Sequence, residues 1–164
     1  MYVSNQDKVY KTLDSLNIDY KAYKHEPVYT IEETVEQVPE TEKTHCKNLF
    51  LRDYKGKNHF LVILTSEKVV DLKKLASQID SSRLSFASAR RLSKYLDLEQ
   101  GSVSPFGLIN DTENEVQVII DQDVQNQDNI TFHPNVNTES ITISYNDFVK
   151  YLDWVGNKYC FLKI

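Results

Sequence analysis

The strongest constraint on the fold of this 164-residue chain is a pair of strand-like runs that lie close together in the sequence. The runs cover residues 48–52 and 59–64 and are dominated by Leu, Phe, Val and Ile. The segment Tyr54-Lys55-Gly56-Lys57 between them is a turn signal, so the two runs are predicted to form a β-hairpin. A chain with this hairpin must build at least part of its core on a β-sheet.

Helical and strand-like patterns alternate along the rest of the chain. Val9, Leu13 and Leu16 recur at helical spacing, and Thr30 followed by Glu33 is the capping-box pattern of a helix start. We predict helices over residues 6–17, 30–38, 71–79, 88–96 and 144–156, and further strands over residues 20–25, 83–86, 116–120, 129–132, 140–143 and 159–164. The expected fold is a mixed α/β (α+β) single domain, residues 1–164, with a mixed sheet of about six strands flanked by helices.

Composition and charge narrow the class of protein. Hydrophobic residues make up 40% of the chain and the net charge is −5, as in an ordinary folded domain. No apolar run reaches the roughly 18 residues of a membrane span, and the first residues lack a signal-peptide pattern. We expect a cytoplasmic protein without a membrane partner. The acidic balance argues against DNA binding and general RNA binding, but leaves room for a small basic patch that contacts the end of an RNA.

Several common catalytic and metal-binding patterns are absent from the sequence. Only four Gly occur, and they form no phosphate-binding loop. The four His do not combine with Cys46 and Cys160 at metal-ligand spacing, and two distant Cys do not make a disulfide framework. His45 and Cys46 are adjacent on a strand-like segment, where neighbouring side chains point to opposite faces. We therefore expect neither a metal site nor a Cys–His dyad.

Two segments carry most of the functional information: Lys47-Asn48-Leu49-Phe50-Leu51-Arg52-Asp53, and a Gly/Pro-punctuated loop, Gly101-Ser102-Val103-Ser104-Pro105-Phe106-Gly107-Leu108-Ile109-Asn110-Asp111. Together they resemble the YbaK/EbsC-like family of trans-editing domains, which is related to the domain inserted in bacterial prolyl-tRNA synthetases. The resemblance covers nearly the whole chain, from about residue 7 to residue 162. It implies an aminoacyl-tRNA deacylase that hydrolyses mischarged prolyl tRNA, with no metal or organic cofactor.

The resemblance implies three catalytic residues, Lys47, Asn48 and Gly101. Lys47 aligns with the key lysine of the family. A lysine of ordinary pKa is protonated at neutral pH, so its expected role is to stabilise the developing oxyanion or to hold a phosphate, rather than to act as a base. On the residues alone, the favoured interpretation of Lys47 is a solvated lysine at the end of a strand.

Other positions are implied to bind the substrate. The expected substrate-binding residues are His45, Ser102, Val103, Ser104, Pro105, Phe106, Gly107, Asn110 and His133. Gly lets the backbone approach a ligand closely, and Pro makes the end of the loop rigid. The alternatives are an ordinary connecting loop, and a structural His133 that bonds a turn. The resemblance also implies that Arg52 and Arg83 contact the acceptor end of the tRNA, and Arg suits both phosphate and guanine. On the residues alone, each is more typical of a solvated surface residue.

The string Phe106-Gly107-Leu108-Ile109-Asn110-Asp111 resembles the branch of the family that removes alanine from the proline tRNA. We expect Ala-tRNA(Pro) as the substrate and transient contact with prolyl-tRNA synthetase. Two alternatives remain open: a deacylase of the same family for cysteine or serine/threonine esters, and a paralogue that binds the tRNA or the synthetase without hydrolysis.

Overall fold

The structure is a computed structural model that describes residues 4–41 and 43–164. Within these residues the α-helices are α1 (Asn5–Ser15), α2 (Ile31–Gln37), α3 (Leu72–Gln78), α4 (Ala89–Leu96) and α5 (Tyr145–Val155). The strands are β1 (Lys21–Lys24), β2 (Cys46–Arg52), β3 (His59–Thr65), β4 (Ser85–Phe86), β5 (Val116–Asp121), β6 (Asn129–Phe132), β7 (Glu139–Ser144) and β8 (Tyr159–Leu162). Short 3₁₀ helices cover Pro39–Thr41, Pro105–Asn110 and Gln122–Asn126.

The larger sheet has five strands in the order β4-β2-β3-β5-β8. β2 and β3 form the predicted antiparallel hairpin, with Cys46 opposite Thr65 and Arg52 opposite His59. β3 pairs in parallel with β5, and β5 in parallel with β8, so the sheet is mixed. β4 pairs with β2 only at Leu51 and Arg52.

The smaller sheet has three antiparallel strands in the order β1-β7-β6. A parallel bridge between His45 and Thr131 links it to the start of β2. The mixed α/β class is confirmed, but the strands divide into two sheets instead of one sheet of about six. The reason is that Gln122–Asn126 turns the chain away after β5, while β1 pairs with a strand more than 100 residues later. Alternating hydrophobicity identifies a strand but does not identify its distant partner.

The core lies on both faces of the five-stranded sheet. Every residue of β3 is buried, as expected for a central strand that is covered on both sides. One face packs against α3, through side chains such as Leu75. The other face packs against α1, α4, α5 and the three-stranded sheet, through side chains that include Phe106 and Phe148. The start of β2 therefore lies where the two sheets meet.

Local capping signals fix the helix starts as predicted. The Thr30 hydroxyl accepts a hydrogen bond from the Glu33 backbone N–H at 3.1 Å, which starts α2. Asp71 and Ser144 cap α3 and α5 in the same way. No helix in residues 4–41 and 43–164 combines the length and apolar character needed to cross a membrane.

Candidate functional site

A cavity of about 240 Å³ lies where β2 begins, between the two sheets. Four separate segments of the chain contribute its walls. Six residues predicted from the sequence line it: His45, Lys47, Asn48, Gly101, Val103 and His133. The other lining residues are Tyr29, Thr30, Ile31, Cys46, Thr131 and Phe132. The cavity wall therefore contains amide, imidazole and hydroxyl groups on an apolar background, and none of these lining residues is an Asp or Glu.

The outer edge of β2 supplies backbone groups to this cavity. The Phe50 carbonyl accepts a hydrogen bond from the Ala87 N–H at 2.9 Å, so the backbone groups of Phe50 point away from β3. Residues two apart on a strand direct their backbone groups to the same edge, so those of Asn48 point the same way. Between the bridge at His45 and the pairing with β4 at Leu51, no strand of the described chain covers this edge. The Asn48 N–H is therefore a donor available to a ligand.

Two buried side-chain atoms in the cavity wall lack hydrogen-bond partners. They are the Oδ1 atom of Asn48 and the Nε2 atom of His45, whose side chain is only 6% exposed. A buried polar atom without a partner costs about 1–3 kcal/mol. Such orphaned atoms in native structures call for an explanation, and a bound polar ligand is one.

The imidazole of His133 is held in one tautomer. Its Nδ1 atom lies 2.8 Å from the Glu139 carbonyl oxygen, which can only accept, so Nδ1 carries the proton. The Nε2 atom then keeps its lone pair and can accept a hydrogen bond from an ammonium group or a water. Burial lowers the pKa of His133, which keeps this neutral form at pH 7.

Lys47 lines the cavity, and its ammonium is engaged by a backbone carbonyl in the turn after β3. Consecutive side chains on a strand alternate, so Lys47 and Asn48 point to opposite faces. The Lys47 Nζ donates to the Lys68 backbone carbonyl in the turn after β3. An ammonium has three donors, so this bond leaves two for a ligand. The structure thus places the predicted catalytic lysine at the cavity with one donor already engaged.

Gly101 is required by its backbone and by a close neighbour. Its φ is +89°, a conformation that residues with a Cβ rarely adopt. A Cβ at this position would lie 2.8 Å from Cδ1 of Tyr29, whose side chain is 70% exposed at the cavity mouth. The sequence did not predict Tyr29, Thr30 or Ile31 as site residues. Their only signal was the capping box, which marks the start of α2 but not what lies opposite it.

The second half of the predicted substrate-binding loop does not reach the cavity. Pro105, Phe106 and Gly107 enter the 3₁₀ helix Pro105–Asn110, and all three are buried. The ring of Phe106 packs edge-on against Phe132, and a Cβ on Gly107 would lie 2.6 Å from Leu98. These residues act as core because their apolar run continues into a helix rather than along the cavity wall.

The polar residues of that loop also have structural partners. The Ser104 hydroxyl accepts from the Phe106 N–H at 3.2 Å and caps the 3₁₀ helix. The Asn110 amide donates to Asn5 and to the Leu96 carbonyl, each at 2.9 Å. Ser102 is buried and lines a different cleft. None of Ser102, Ser104 and Asn110 lines the cavity. Ser104 and Asn110 make their hydrogen bonds elsewhere, and Ser102 faces the other cleft.

Arg52 and Arg83 lie at the far end of β2 from the cavity. The Arg52 guanidinium donates to the Tyr54 carbonyl at 3.2 Å, and Arg83 is exposed just before β4. Neither lines the cavity. A role for them in RNA binding remains a prediction. In residues 4–41 and 43–164, no group of three or more His, Cys, Asp or Glu side chains is arranged to hold a metal ion.

The profile of the aminoacyl-tRNA editing domain matches residues 25–151 of this chain. The chain belongs to the aminoacyl-tRNA editing domain family. The match includes every segment that lines the cavity, so the predicted family and the prediction of an aminoacyl-tRNA deacylase are confirmed at this level.

Individual proteins extend the comparison. The chain is 42% identical over 159 residues to the prolyl-tRNA editing protein ProX of Acetoanaerobium sticklandii, covering 97% of both chains. It is 30% identical over 149 residues to prolyl-tRNA synthetase associated domain-containing protein 1 of Mus musculus, covering 88% of both. A solved structure of a proposed trans-editing enzyme for prolyl tRNA synthetase has the same fold, with a TM-score of 0.70 at 15% identity over 100% of this chain and 99% of that one.

The buried histidine of the cavity makes stability depend on pH. Burial, reinforced by His133 and His25, lowers the pKa of His45 from 6.5 to about 4. Between these two values the unfolded chain binds a proton that the folded protein does not, so the free energy of unfolding falls as pH decreases from 6.5 to 4. The slope from one such group is at most about 1.4 kcal/mol per pH unit.

We expect His45→Gln to flatten this dependence by up to one proton, measured by urea denaturation between pH 4 and 7. His59→Gln is the matched variant, because burial and Arg91 lower the pKa of His59 to about 4 as well, away from the cavity. Identical slopes in wild type and His45→Gln would show that His45 takes up its proton without unfolding.

Proposed function

We propose that this protein hydrolyses the 3′-ester of Ala-tRNA(Pro) and so proofreads translation in trans. The observation that carries the proposal is the small cavity at the start of β2, with the free Asn48 N–H and Lys47 in its wall. The proposal is also supported by the similarity of this chain to a protein named for prolyl-tRNA editing. Translation takes place in the cytoplasm, which is the proposed location.

The reaction needs an attacking water and a way to stabilise the tetrahedral oxyanion. In the proposal the Asn48 N–H and the Lys47 ammonium donate to the oxygen that gains charge, which is the usual means of stabilising such a transition state. The C–O bond to the terminal ribose then breaks and its 3′ oxygen takes a proton. His133 Nε2 and Asn48 Oδ1 are acceptors suited to the α-ammonium of the amino acid.

Activation of the water is assigned to the 2′-hydroxyl of the terminal ribose. The residues that line the cavity include no carboxylate that could act as a base. Replacement of the 2′-hydroxyl by hydrogen is therefore expected to slow deacylation sharply. Unchanged hydrolysis of the 2′-deoxy substrate would move this role to a protein group, of which His133 is the neutral candidate.

Selectivity for alanine is proposed to be steric. Ile31, Val103 and Phe132 form apolar walls around a volume of about 240 Å³. Differences of one or two methylene groups change binding by only about 1–3 kcal/mol. Exclusion of the larger proline ring by the walls, rather than weaker binding, must then protect the correctly charged tRNA. In the same proposal Arg52 and Arg83 contact the RNA, and prolyl-tRNA synthetase is a transient partner.

The test is deacylation of proline tRNA charged with Ala, Cys, Ser or Pro. Rapid loss of Ala alone is the expected result. Hydrolysis of the Cys or Ser ester instead would keep the enzyme class and change the specificity. Loss of none of the four esters would favour a protein that binds aminoacyl-tRNA without turnover.

A further inference from the structure

Two segments of this acidic chain are rich in basic residues and nearly free of acidic ones. Residues 52–59 and 81–96 contain seven of the 19 Lys and Arg residues but only one of the 24 Asp and Glu residues. That single acid, Asp53, is buried, and its carboxylate accepts from the backbone N–H groups of Lys57 and Asn58. We call this surface the basic face; it comprises Arg52, Lys55, Lys57, Arg83, Arg90, Arg91 and Lys94.

Direct contacts join the two segments into one surface. The Arg91 guanidinium donates to the Gly56 carbonyl at 3.1 Å and to His59 Nε2 at 3.0 Å, so α4 is tied to the β2–β3 turn. The Tyr54 N–H donates to the Ser82 hydroxyl at 3.1 Å. The positions of the cations relative to one another are therefore set by the fold, apart from their side-chain ends.

Helix α4 presents its charges on one side. Leu92 and Leu96 are buried in the core, while Arg90 and Lys94 are exposed and lie four residues apart, on the same helical stripe. Two aromatic side chains, Tyr54 and Phe86, are also exposed, by 68% and 60%. Clustered cations with neighbouring aromatic residues are typical of surfaces that bind nucleic acid.

The distance between the basic face and the cavity is close to the length of the single-stranded end of a tRNA. Five residues of β2 separate Lys47 from Arg52, or about 17 Å along a strand. A tRNA ends in roughly four unpaired nucleotides, which span about 14 Å at about 3.4 Å per stacked nucleotide. With the ester in the cavity, the first base pairs of the acceptor arm would lie beside the basic face.

We propose that the basic face, and α4 in particular, is the docking surface for the duplex part of the acceptor arm. This inference rests on the proposed function for its choice of RNA. The exposed residues Asp97 and Glu99 follow α4 in the chain and line a separate cleft with Ser102. The single strand then reaches the cavity along the open edge of β2, and the phosphates of the duplex pair with the cations.

The test compares Arg90→Ala/Lys94→Ala with Lys73→Ala/Lys74→Ala, which removes two exposed cations from α3 on the opposite layer. One probe is an acceptor-arm hairpin RNA that carries its single-stranded 3′ end but no amino acid. The other probe is the single strand alone. Binding is followed by fluorescence anisotropy from 0.05 to 0.3 M salt. Each phosphate contact contributes about 0.9 to the slope of log affinity against log salt, so the α4 variant should lose about two units.

If the affinity at 1 M salt is the same in both proteins, the lower slope makes binding of the hairpin at 0.1 M salt about 60-fold weaker in the α4 variant. The α3 variant should keep the wild-type slope, and binding of the single strand should not respond to either variant. An unchanged slope in the α4 variant, or equal losses in both variants, would overturn the proposal. The probes carry no amino acid, so their binding is independent of hydrolysis. A protein that binds the hairpin as expected but deacylates none of the four charged tRNAs would contradict the proposed function and leave the basic face supported.

Discussion

Replacing Lys47 by methionine is expected to lower kcat for deacylation by about 100- to 1,000-fold, the usual cost of removing one oxyanion donor. Methionine keeps most of the apolar length of this cavity-lining side chain and removes only the charged end. Since the lost interaction forms in the transition state, KM for the charged tRNA should stay within about twofold. Single-turnover hydrolysis with saturating enzyme measures the chemical step directly.

The control for this variant is Lys73→Met, an exposed lysine of α3 that does not line the cavity. It should hydrolyse the ester at the wild-type rate. Lys47→Arg retains the charge but changes its shape, and is expected to recover only part of the activity. A Lys47→Met enzyme with unchanged kcat would remove the lysine from the proposed mechanism and leave the Asn48 N–H as the main donor.

The elements with local signals were predictable from the sequence. The β2–β3 hairpin followed from two apolar runs and a Gly-containing turn, and the start of α2 from the Thr30–Glu33 capping box. Both depend on interactions between residues close in the chain. The division into two sheets did not follow, because β1 pairs with β7 across more than 100 residues, and no local pattern states that pairing.

The candidate site shows the same limit. The sequence motifs predict Lys47, Asn48 and Gly101, and the structure brings them to one cavity. The loop sequence predicts Phe106 in the cavity wall because it follows Gly101, yet the 3₁₀ helix turns it into the core. The sequence does not predict Tyr29, because its contact with Gly101 joins segments 72 residues apart. Sequence proximity was a poor guide where the chain changes direction.

The turn that holds the Lys47 ammonium depends on a second lysine. The Lys68 Nζ lies 3.0 Å from the fully buried Asp121 Oδ1, 2.7 Å from Asp123 Oδ2 and 3.0 Å from the Ile164 carbonyl. The other oxygen of Asp121 has no partner. We expect Lys68→Met to lower the free energy of unfolding by about 3–5 kcal/mol, because it leaves a buried carboxylate without its counter-charge. Urea denaturation at pH 7 measures the loss.

The neighbouring carboxylates supply matched variants for that measurement. Asp123 is about half exposed, so Asp123→Asn should cost no more than about 1 kcal/mol. The double variant Lys68→Met/Asp121→Asn removes both charges of the pair and should regain much of the lost stability, giving a large coupling energy between the two positions. Additive effects would show that the pair is not coupled. The double variant should remain folded. The Lys68 carbonyl accepts a hydrogen bond from the Lys47 ammonium, so a turn that positions this ammonium predicts a lower kcat and an unchanged KM in the double variant.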